Sequence, residues 1–375
     1  MSHLLYVIVL GIILLYGISL IVPTFYFIFK RKIKNKDFVP STFVSVLVPV
    51  RNEETQLVEC LESLLKLNYP DNKFELLLIN DHSTDQTRKL AERYLGRFPL
   101  FKIIDNPANV FGKKSALTLG VQAAKGELIV TTDGDCILPS SWLLNIVETY
   151  ETEDPVFIAG PVAYKKQGGL LRNLLAMEQI ALQIIAAGSM QMGLPILCSG
   201  ANLAYKKDFF IESGGYQNDV LASGDDVFLM LKAHQKYPGR LRFMSDSSSI
   251  VLTSPAENLR FAIQQRSRWL SKISAYGNLW ISGLGILVFL CNCMPLFFAL
   301  LSFYNSEYLT LFFLTFAGKM LVDVLLLSLA VPFYREPRLL LFAFFGEIVY
   351  PFLSIISVVA VFFGTFNWKG RTYKV

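Results

Sequence analysis

Apolar residues gather at the two ends of the chain, while polar residues occupy its middle. The first long apolar run extends from Leu4 to Phe29. Three further runs lie near the carboxyl end, at Trp280 to Tyr304, Leu309 to Phe333 and Leu339 to Phe366. Each run is long enough for a helix that crosses a bilayer. The pattern predicts a retained N-terminal anchor and about three C-terminal membrane helices. Because the last run contains Glu347 and Pro351, it could either cross the membrane or form a re-entrant or interfacial segment.

Between these ends, short apolar runs alternate with helix-sized stretches. The predicted strands cover residues 43–48, 76–79, 102–104 and 128–132, and the predicted helices between them cover 59–67, 86–94 and 114–124. Strands separated by helix-sized connections predict an α/β domain with a mostly parallel sheet and helices on both faces. The chain is therefore divided into an anchor with a basic segment (1–37), an α/β domain (38–276), and a membrane region with a basic tail (277–375).

Composition supports a membrane protein, since 53% of the residues are hydrophobic and only 17% are charged. Positions 30, 31, 32, 34 and 36 are lysine or arginine, and positive charge beside a span favours the cytoplasmic side. Topology and anionic lipid explain this cluster better than nucleic acid does, because no aromatic residues are interleaved with it. We expect an integral protein of a bacterial inner membrane with a cytoplasmic α/β domain and no nucleic-acid partner. Three C-terminal crossings would place the basic tail outside, on the side that positive charge disfavours.

Polar residues follow three of the predicted strands, in the segments Pro49-Val-Arg-Asn-Glu-Glu54, Asn80-Asp-His-Ser-Thr-Asp85 and Asp133-Gly-Asp135. Ligands of open α/β sheets bind beyond the carboxyl ends of the strands, so these segments converge on one rim. Asp133 and Asp135 would share one hard cation, Mg²⁺ or Mn²⁺, that holds a diphosphate, although an acidic turn alone also gives this spacing. The chain has no Gly-x-Gly-x-x-Gly after the first strand and no Gly-Lys-Ser/Thr loop. A nicotinamide enzyme and a P-loop phosphohydrolase are therefore excluded.

Further motifs follow in a fixed order: Phe111-Gly-Lys-Lys-Ser-Ala116, Ser199-Gly-Ala-Asn202, Gly214-Gly-Tyr216, Ala222-Ser-Gly-Asp-Asp-Val-Phe-Leu229 and Gln265-Arg-Ser-Arg-Trp269. With the rim segments, they make residues 45–269 resemble a family-two glycosyltransferase of the GT-A fold. The resemblance is to the membrane-integral branch, which includes ceramide glucosyltransferases and cellulose, chitin, hyaluronan and poly-N-acetylglucosamine synthases. It implies a GT-A domain flanked by transmembrane helices.

The resemblance also implies a nucleotide-sugar site made of Pro49, Arg51, Glu53, Asp81, Lys113 and Asp133. In this interpretation Glu53 lies near the nucleoside, Asp81 accepts hydrogen bonds from uracil or ribose, and Lys113 contacts the nucleotide. Asp135 would ligate Mg²⁺ or Mn²⁺ directly, and Asp133 would contact the metal or the donor ribose. The metal would neutralise charge on the departing diphosphate. Cys136 is expected to be a small buried residue, since these metals prefer oxygen.

Catalytic residues are implied on two later motifs. Asp226 stands where inverting members of the family carry the base that deprotonates the acceptor hydroxyl. Asp225 stands where Glu is common, and adjacent carboxylates could instead stabilise a helix N-terminus. Gln265, Arg268 and Trp269 fit the Gln-x-x-Arg-Trp motif, in which a guanidinium binds diphosphate oxygens and a tryptophan packs against a sugar acceptor. A basic juxtamembrane helix is the alternative interpretation of the cations around this motif.

The resulting hypothesis is an inverting, metal-dependent glycosyltransferase that moves a sugar from a nucleotide-sugar, such as a UDP-sugar, to a membrane lipid or lipid-linked acceptor. A processive polysaccharide synthase is the alternative, because it shares Gln-x-x-Arg-Trp, but the low number of apolar runs offers little wall for a polymer channel. A third hypothesis is an inactive membrane subunit of the same fold, which would be expected to lack the base or the acidic pair.

Overall fold

The structure is a computed structural model that describes residues 3–30, 37–217, 224–363, 365–368 and 371–374. Most of the basic cluster, residues 31–36, lies outside the described residues, as do Ala222 and Ser223. The chain forms two compact units. The sheet unit contains Lys30–Lys165 and Ser189–Ser254, and the helical unit contains Met1–Phe29, Lys166–Gly188 and Pro255–Val375. The three-part division inferred from the sequence stays a prediction.

The helices of the described part are α1 (His3–Phe29), α2 (Leu57–Leu64), α3 (Thr87–Glu92), α4 (Lys113–Ala123), α5 (Trp142–Glu153), α6 (Leu170–Gln191), α7 (Lys207–Glu212), α8 (Asp225–Lys236), α9 (Leu259–Leu270), α10 (Leu279–Ser302), α11 (Tyr308–Tyr334) and α12 (Ala343–Phe363). The strands are β1 (Val44–Val50), β2 (Phe74–Asn80), β3 (Phe101–Asp105), β4 (Leu128–Thr131), β5 (Phe157–Ala159), β6 (Val162–Tyr164), β7 (Leu203–Lys206), β8 (Leu241–Phe243), β9 (Val251–Thr253), β10 (Thr365–Trp368) and β11 (Arg371–Lys374). The predicted elements between residues 43 and 132 are confirmed, with ends that differ by a few residues.

A seven-stranded sheet with the order β3-β2-β1-β4-β7-β5-β8 forms the centre of the sheet unit. Strands β1 to β4 are parallel, whereas β7 runs antiparallel to both of its neighbours, β4 and β5. Every residue of β1 and β2 is buried, as expected for central strands covered on both faces. The predicted α/β class with a mostly parallel sheet is confirmed. Strands β5 to β9 were not predicted, and among them β7 is the one that reverses direction in the central sheet.

The register of the sheet fixes the rim. Leu47 of β1 pairs with Thr131 of β4, so the residues three positions further on, Val50 and Gly134, come together where the strands end. A Cβ atom at Gly134 would lie 2.8 Å from Cγ1 of Val50. Glycine is therefore required between Asp133 and Asp135, because any larger residue would push the two aspartates away from β1.

The helical unit contains α1, α6 and α9 to α12 with the β10–β11 hairpin. Among the described residues, five helical segments are long and apolar enough to cross a membrane: His3–Phe29, Leu170–Gln191, Leu279–Ser302, Tyr308–Tyr334 and Pro337–Phe362. Four of them correspond to the predicted runs. Leu170–Gln191 was not predicted, and the last helix ends at Phe363, so Phe366 belongs to a strand instead.

Candidate active site

The loops after β1 and β2 are tied to each other at the rim. Nη1 of Arg51 donates to the backbone oxygens of Asp81 at 2.7 Å and His82 at 3.0 Å. The backbone N–H of Glu53 donates to the hydroxyl of Thr87 at 2.7 Å. Pro49 lies within β1, beside Ile79 of β2. In this structure the Arg51 guanidinium therefore holds the two loops together, and its predicted contact with the nucleotide-sugar stays a prediction.

Asp81 holds the segment that leads into α4. Its carboxylate is 3% exposed and accepts hydrogen bonds from the backbone N–H of Gly112, 3.1 Å from each oxygen, and from Nδ2 of Asn106 at 3.0 Å. Gly112 has a φ of +100°, which favours glycine there. Asp81 thus shapes the loop before α4, and its predicted role in nucleoside recognition stays a prediction.

Lys113, the first residue of α4, links two of the predicted motifs. Its ammonium lies 2.6 Å from Oδ1 of Asp133 and 3.8 Å from Oδ2 of Asp225, with 20% of its side chain exposed. Burial lowers the pKa of Lys113, but the charges of Asp133 and Asp225 outweigh it and raise that pKa above its usual range. The side chain is therefore a permanent cation between the acidic pair and the start of α8.

The acidic pair after β4 is oriented by neighbouring groups. Oδ2 of Asp135 accepts a hydrogen bond from the hydroxyl of Thr253 at 3.0 Å, and the side chain of Asp133 is 34% exposed. Two partly exposed carboxylates fit Mg²⁺ or Mn²⁺, which commonly take one or two protein carboxylates together with phosphate oxygens and water. In the described ranges, no group of three His, Cys, Asp or Glu residues is placed to bind a metal. Cys136 is fully buried and burial raises the pKa of its thiol, so it behaves as the small buried residue that was expected.

The start of α8 is joined to the segment Ser199-Gly-Ala-Asn202. Asp226 accepts hydrogen bonds from the backbone N–H of Gly200 at 3.1 Å and from that of Val227 at 2.9 Å. Asp226 is partly exposed, whereas Asp225 is 8% exposed and faces Lys113. Of the two adjacent carboxylates, Asp226 is thus the one more open to an acceptor hydroxyl.

Asn202 has a structural role that the sequence did not indicate. It is fully buried, accepts a hydrogen bond from Nε1 of Trp142 at 2.9 Å, and donates to the backbone oxygens of Pro161 and Ser249. These contacts join three separate segments behind the rim. The motif containing Asn202 therefore has a packing role in the sheet unit.

Gln265, Arg268 and Trp269 lie on α9 in the helical unit and are partly exposed. Their proximity to the carboxylates of the sheet unit stays a prediction. Between them, Arg266 is 7% exposed and paired with Glu178 of α6, so it is not the solvated juxtamembrane cation that was considered. Lys272 is also buried, at 5% exposure. A basic residue on the apolar side of a short helix was the signal that could have identified Arg266.

Comparison with known proteins shows which proteins the chain resembles. Residues 45–214 match the family model described as Glycosyl transferase family 2. The chain is 27% identical, over 69% of its length, to the probable glycosyltransferase YdaM of Bacillus subtilis, and it spans 62% of that protein. It is 32% identical over 30% of its length to the beta-monoglucosyldiacylglycerol synthase of Nostoc sp., of which it covers 24%. The chain thus spans less than two thirds of the length of these relatives.

A solved structure shares the fold. The mannosyltransferase PcManGT from Pyrobaculum calidifontis, in complex with GDP-Man and Mn²⁺, superposes with a TM-score of 0.56 at 18% identity, covering 94% of this chain and 98% of that one. At such low identity the likeness shows the fold alone. Residues 45–214 thus match a Glycosyl transferase family 2 domain, and the fold of the chain is GT-A-like.

Proposed function

We propose that the protein is a nucleotide-sugar-dependent glycosyltransferase that transfers one sugar to a membrane lipid or lipid-linked acceptor, with inversion at the anomeric carbon. The observation that supports this most directly is the position of Lys113. Its ammonium lies between Asp133 and Asp225, so the predicted metal motif, nucleotide motif and base motif meet around one cation. Three motifs that are far apart in the sequence thus form one cluster.

Each residue has a defined task in the proposed reaction. Asp81 and Glu53 bind the nucleoside, and Lys113 neutralises the diphosphate through charge-assisted hydrogen bonds. Asp135 and Asp133 would hold Mg²⁺ or Mn²⁺, which supplies positive charge to the leaving diphosphate. Both are hard oxygen ligands, and Oδ1 of Asp133 lies 2.6 Å from the Lys113 ammonium.

Asp226 is the proposed general base. It takes the proton from the acceptor hydroxyl as the new bond between that oxygen and the anomeric carbon forms. At the same time the bond from the anomeric carbon to the diphosphate oxygen breaks, and the nucleoside diphosphate leaves with the electron pair. Attack from the face opposite the leaving group inverts the anomeric configuration. Arg268, with Gln265 and Trp269, is proposed to bind the diphosphate and the acceptor.

A lipid acceptor is supported by two observations. Five described helical segments are long and apolar enough to cross a membrane, which suits an enzyme that works at a bilayer surface. One relative is named beta-monoglucosyldiacylglycerol synthase, although it matches only 112 residues of this chain. A bacterial inner membrane with the sheet unit in the cytoplasm is the proposed location, because the cations at positions 30–36 favour that orientation.

The test is nucleotide release by the full-length protein in lipid nanodiscs, measured with a panel of UDP-sugars and GDP-mannose, with and without Mn²⁺ or Mg²⁺. We expect metal-dependent release that Asp135→Asn abolishes. Asp208→Asn is the matched control, because Asp208 is an exposed carboxylate in the first turn of α7. Release that is equal in wild type and Asp135→Asn for every donor would contradict the proposal and favour an inactive subunit. Analysis of the lipid product separates one sugar per lipid from the ladder that a polysaccharide synthase would give.

A further inference from the structure

Arg266 lies inside the Gln265–Trp269 motif but has no task in the proposed reaction. Its guanidinium donates from Nε, at 3.1 Å, and from Nη2 to the same oxygen of Glu178 on α6. Arg266 is 7% exposed and the side chain of Glu178 is 27% exposed. Loss of one partner from a buried ion pair is strongly destabilising, since it leaves the other charge uncompensated. The pair therefore constrains α9 firmly against α6.

A second contact holds the same guanidinium from α12. The Cζ atom of Arg266 lies 5.7 Å from the centre of the Tyr350 ring, within the range of a cation–π interaction. The hydroxyl of Tyr350 donates to the backbone oxygen of Leu174 on α6 at 2.5 Å. Arg266, Tyr350 and α6 thus form a closed set of contacts that joins three helices of the helical unit.

Gly346 lies where α12 approaches α6 closely. A Cβ atom at Gly346, one turn before Tyr350, would lie 2.5 Å from the terminal methyl of Met177 and 3.0 Å from the Tyr350 ring. The glycine lets the tyrosine ring lie between the two helices. The aromatic contact to Arg266 is therefore built into the packing of α12 on α6.

Helix geometry relates Arg266 to the motif residues. Successive residues turn by about 100°, so Arg266 and Arg268 point about 200° apart, to nearly opposite sides of α9. Contacts of Arg266 that fix the rotation of α9 about its axis therefore also fix the direction in which Arg268 points on the opposite side of the helix. A planar guanidinium with several donors can bind a carboxylate and stack on a ring together, which an ammonium group does less well.

We propose that Arg266 is a positioning residue for the transfer reaction. Its contacts with Glu178 and Tyr350 set the rotation of α9 and thereby the direction in which Arg268 and Trp269 are presented to the diphosphate and the acceptor. The inference rests on the proposed function, and it adds a residue that touches neither substrate. It also explains why an arginine stands among the apolar contacts of α6, α9 and α12.

The experiment compares Arg266→Lys with Arg260→Lys in full-length protein in nanodiscs. Arg260 is an exposed arginine on the same helix and has no part in the proposed site. We expect Arg266→Lys to lower kcat, per folded enzyme, on the order of ten- to a hundred-fold, as small misplacements of a catalytic group do. The donor KM should change by less than about three-fold, since the loss concerns the transition state. Arg260→Lys should match the wild type.

Exchanging the charges of Arg266 and Glu178 tests whether the ion pair itself is responsible for the effect. Arg266→Glu alone and Glu178→Arg alone should each lower kcat, whereas the double variant should recover part of it, because the pair is restored in reverse. Unchanged kcat in Arg266→Lys, or variants that lose only thermal stability at constant kcat per folded enzyme, would overturn the positioning role while the transferase stands. A wild-type protein that neither binds UDP or GDP in calorimetry nor transfers sugar would overturn the proposed function, and the positioning role with it.

Discussion

The rim of the sheet unit and the interior of the helical unit use charged side chains in different ways. At the rim, Asp133 and Asp226 remain partly exposed and are held by an ammonium group or by backbone N–H groups. In the helical unit, Lys319 is 2% exposed and lies 2.6 Å from Asp323 and 2.8 Å from Glu347. Lys319 and Asp323 lie one helical turn apart on α11, and Glu347 joins them from α12.

The difference shows what each set of charges can do. A carboxylate that keeps exposed oxygen at the end of a strand can bind a ligand, so its removal should affect the reaction more than the fold. A charge buried among apolar helices is committed to its partners, so its removal should affect stability first. Tyr16 of α1 reinforces this by donating to Asp323 at 2.5 Å, which joins a third helix to α11 and α12.

The largest expected effect at the rim is that of Asp226→Asn. Asparagine retains an oxygen that can accept from Gly200 or Val227, so the melting temperature should stay close to that of the wild type. Loss of the base should lower kcat by about 10²- to 10⁴-fold. The check is nucleotide release alongside thermal unfolding. A variant that melts much earlier, with kcat per folded enzyme unchanged, would place Asp226 with the structural charges.

The corresponding change in the helical unit is Lys319→Met. It leaves Asp323 and Glu347 buried together without a cation, and we expect a loss of about 3–5 kcal/mol in the free energy of unfolding. Detergent titration of the purified protein measures it. Lys166→Met is the matched control, because Lys166 pairs with Glu336 at 3.1 Å but is 67% exposed, and such pairs contribute about 0–1 kcal/mol. Equal losses in the two variants would remove the distinction between buried and exposed charges in this unit.

Lys113→Gln tests whether the rim cation serves ligands. We expect the affinity for UDP, or for the nucleotide of the donor identified above, to fall at least about ten-fold, because a charge-assisted contact contributes about 1.5–3 kcal/mol. Titration calorimetry measures the affinity. Lys114→Gln is the control, since the neighbouring ammonium lies over the Phe228 ring, 5.2 Å from its centre. Comparable losses of affinity in both lysine variants would argue against a specific role for Lys113.

The smallest effect concerns a carboxylate away from the rim. Glu151 accepts hydrogen bonds from the backbone N–H and hydroxyl groups of Ser41 and Thr42, at 2.7 to 2.9 Å. Burial raises the pKa of Glu151, but these bonds outweigh it and lower that pKa below its usual value of 4.5. A lowered pKa means that the stabilisation is fully present above pH 4.5 and is lost as the pH falls through the folded value.

Glu151→Gln should therefore destabilise the protein by about 1 kcal/mol at pH 7 and by progressively less below pH 4.5. Thermal unfolding across this pH range is the measurement. Glu257→Gln, at an exposed position, should have little effect at any pH. A difference between Glu151→Gln and wild type that persists unchanged in acid would show that the charge of Glu151 does not provide the stabilisation.

The sequence predicted those elements in which the pattern of apolar residues is clear. Strands β1 and β2 are rich in valine, leucine and isoleucine because both of their faces are buried, so they were predictable. Helix α6 was not predictable, because Arg172, Glu178, Gln179 and Gln183 interrupt its apolar residues, whereas α1 contains no charged residue. The reversed direction of β7 was also hidden, since a strand pairs in either direction with the same residues.

What the sequence by itself determined is the kind of residue that follows β1, β2 and β4 and the approximate extent of four of the five long apolar helices, since both follow from local patterns. Only the tertiary structure decided which charged side chains pair with each other. Arg266 and Glu178 are 88 positions apart, and Lys113 meets an aspartate 20 positions away and another more than 100 positions away. Such pairs depend on how whole elements pack, which local propensity does not encode. For this reason the motif residues were predictable from the sequence, whereas the contacts that orient them were not.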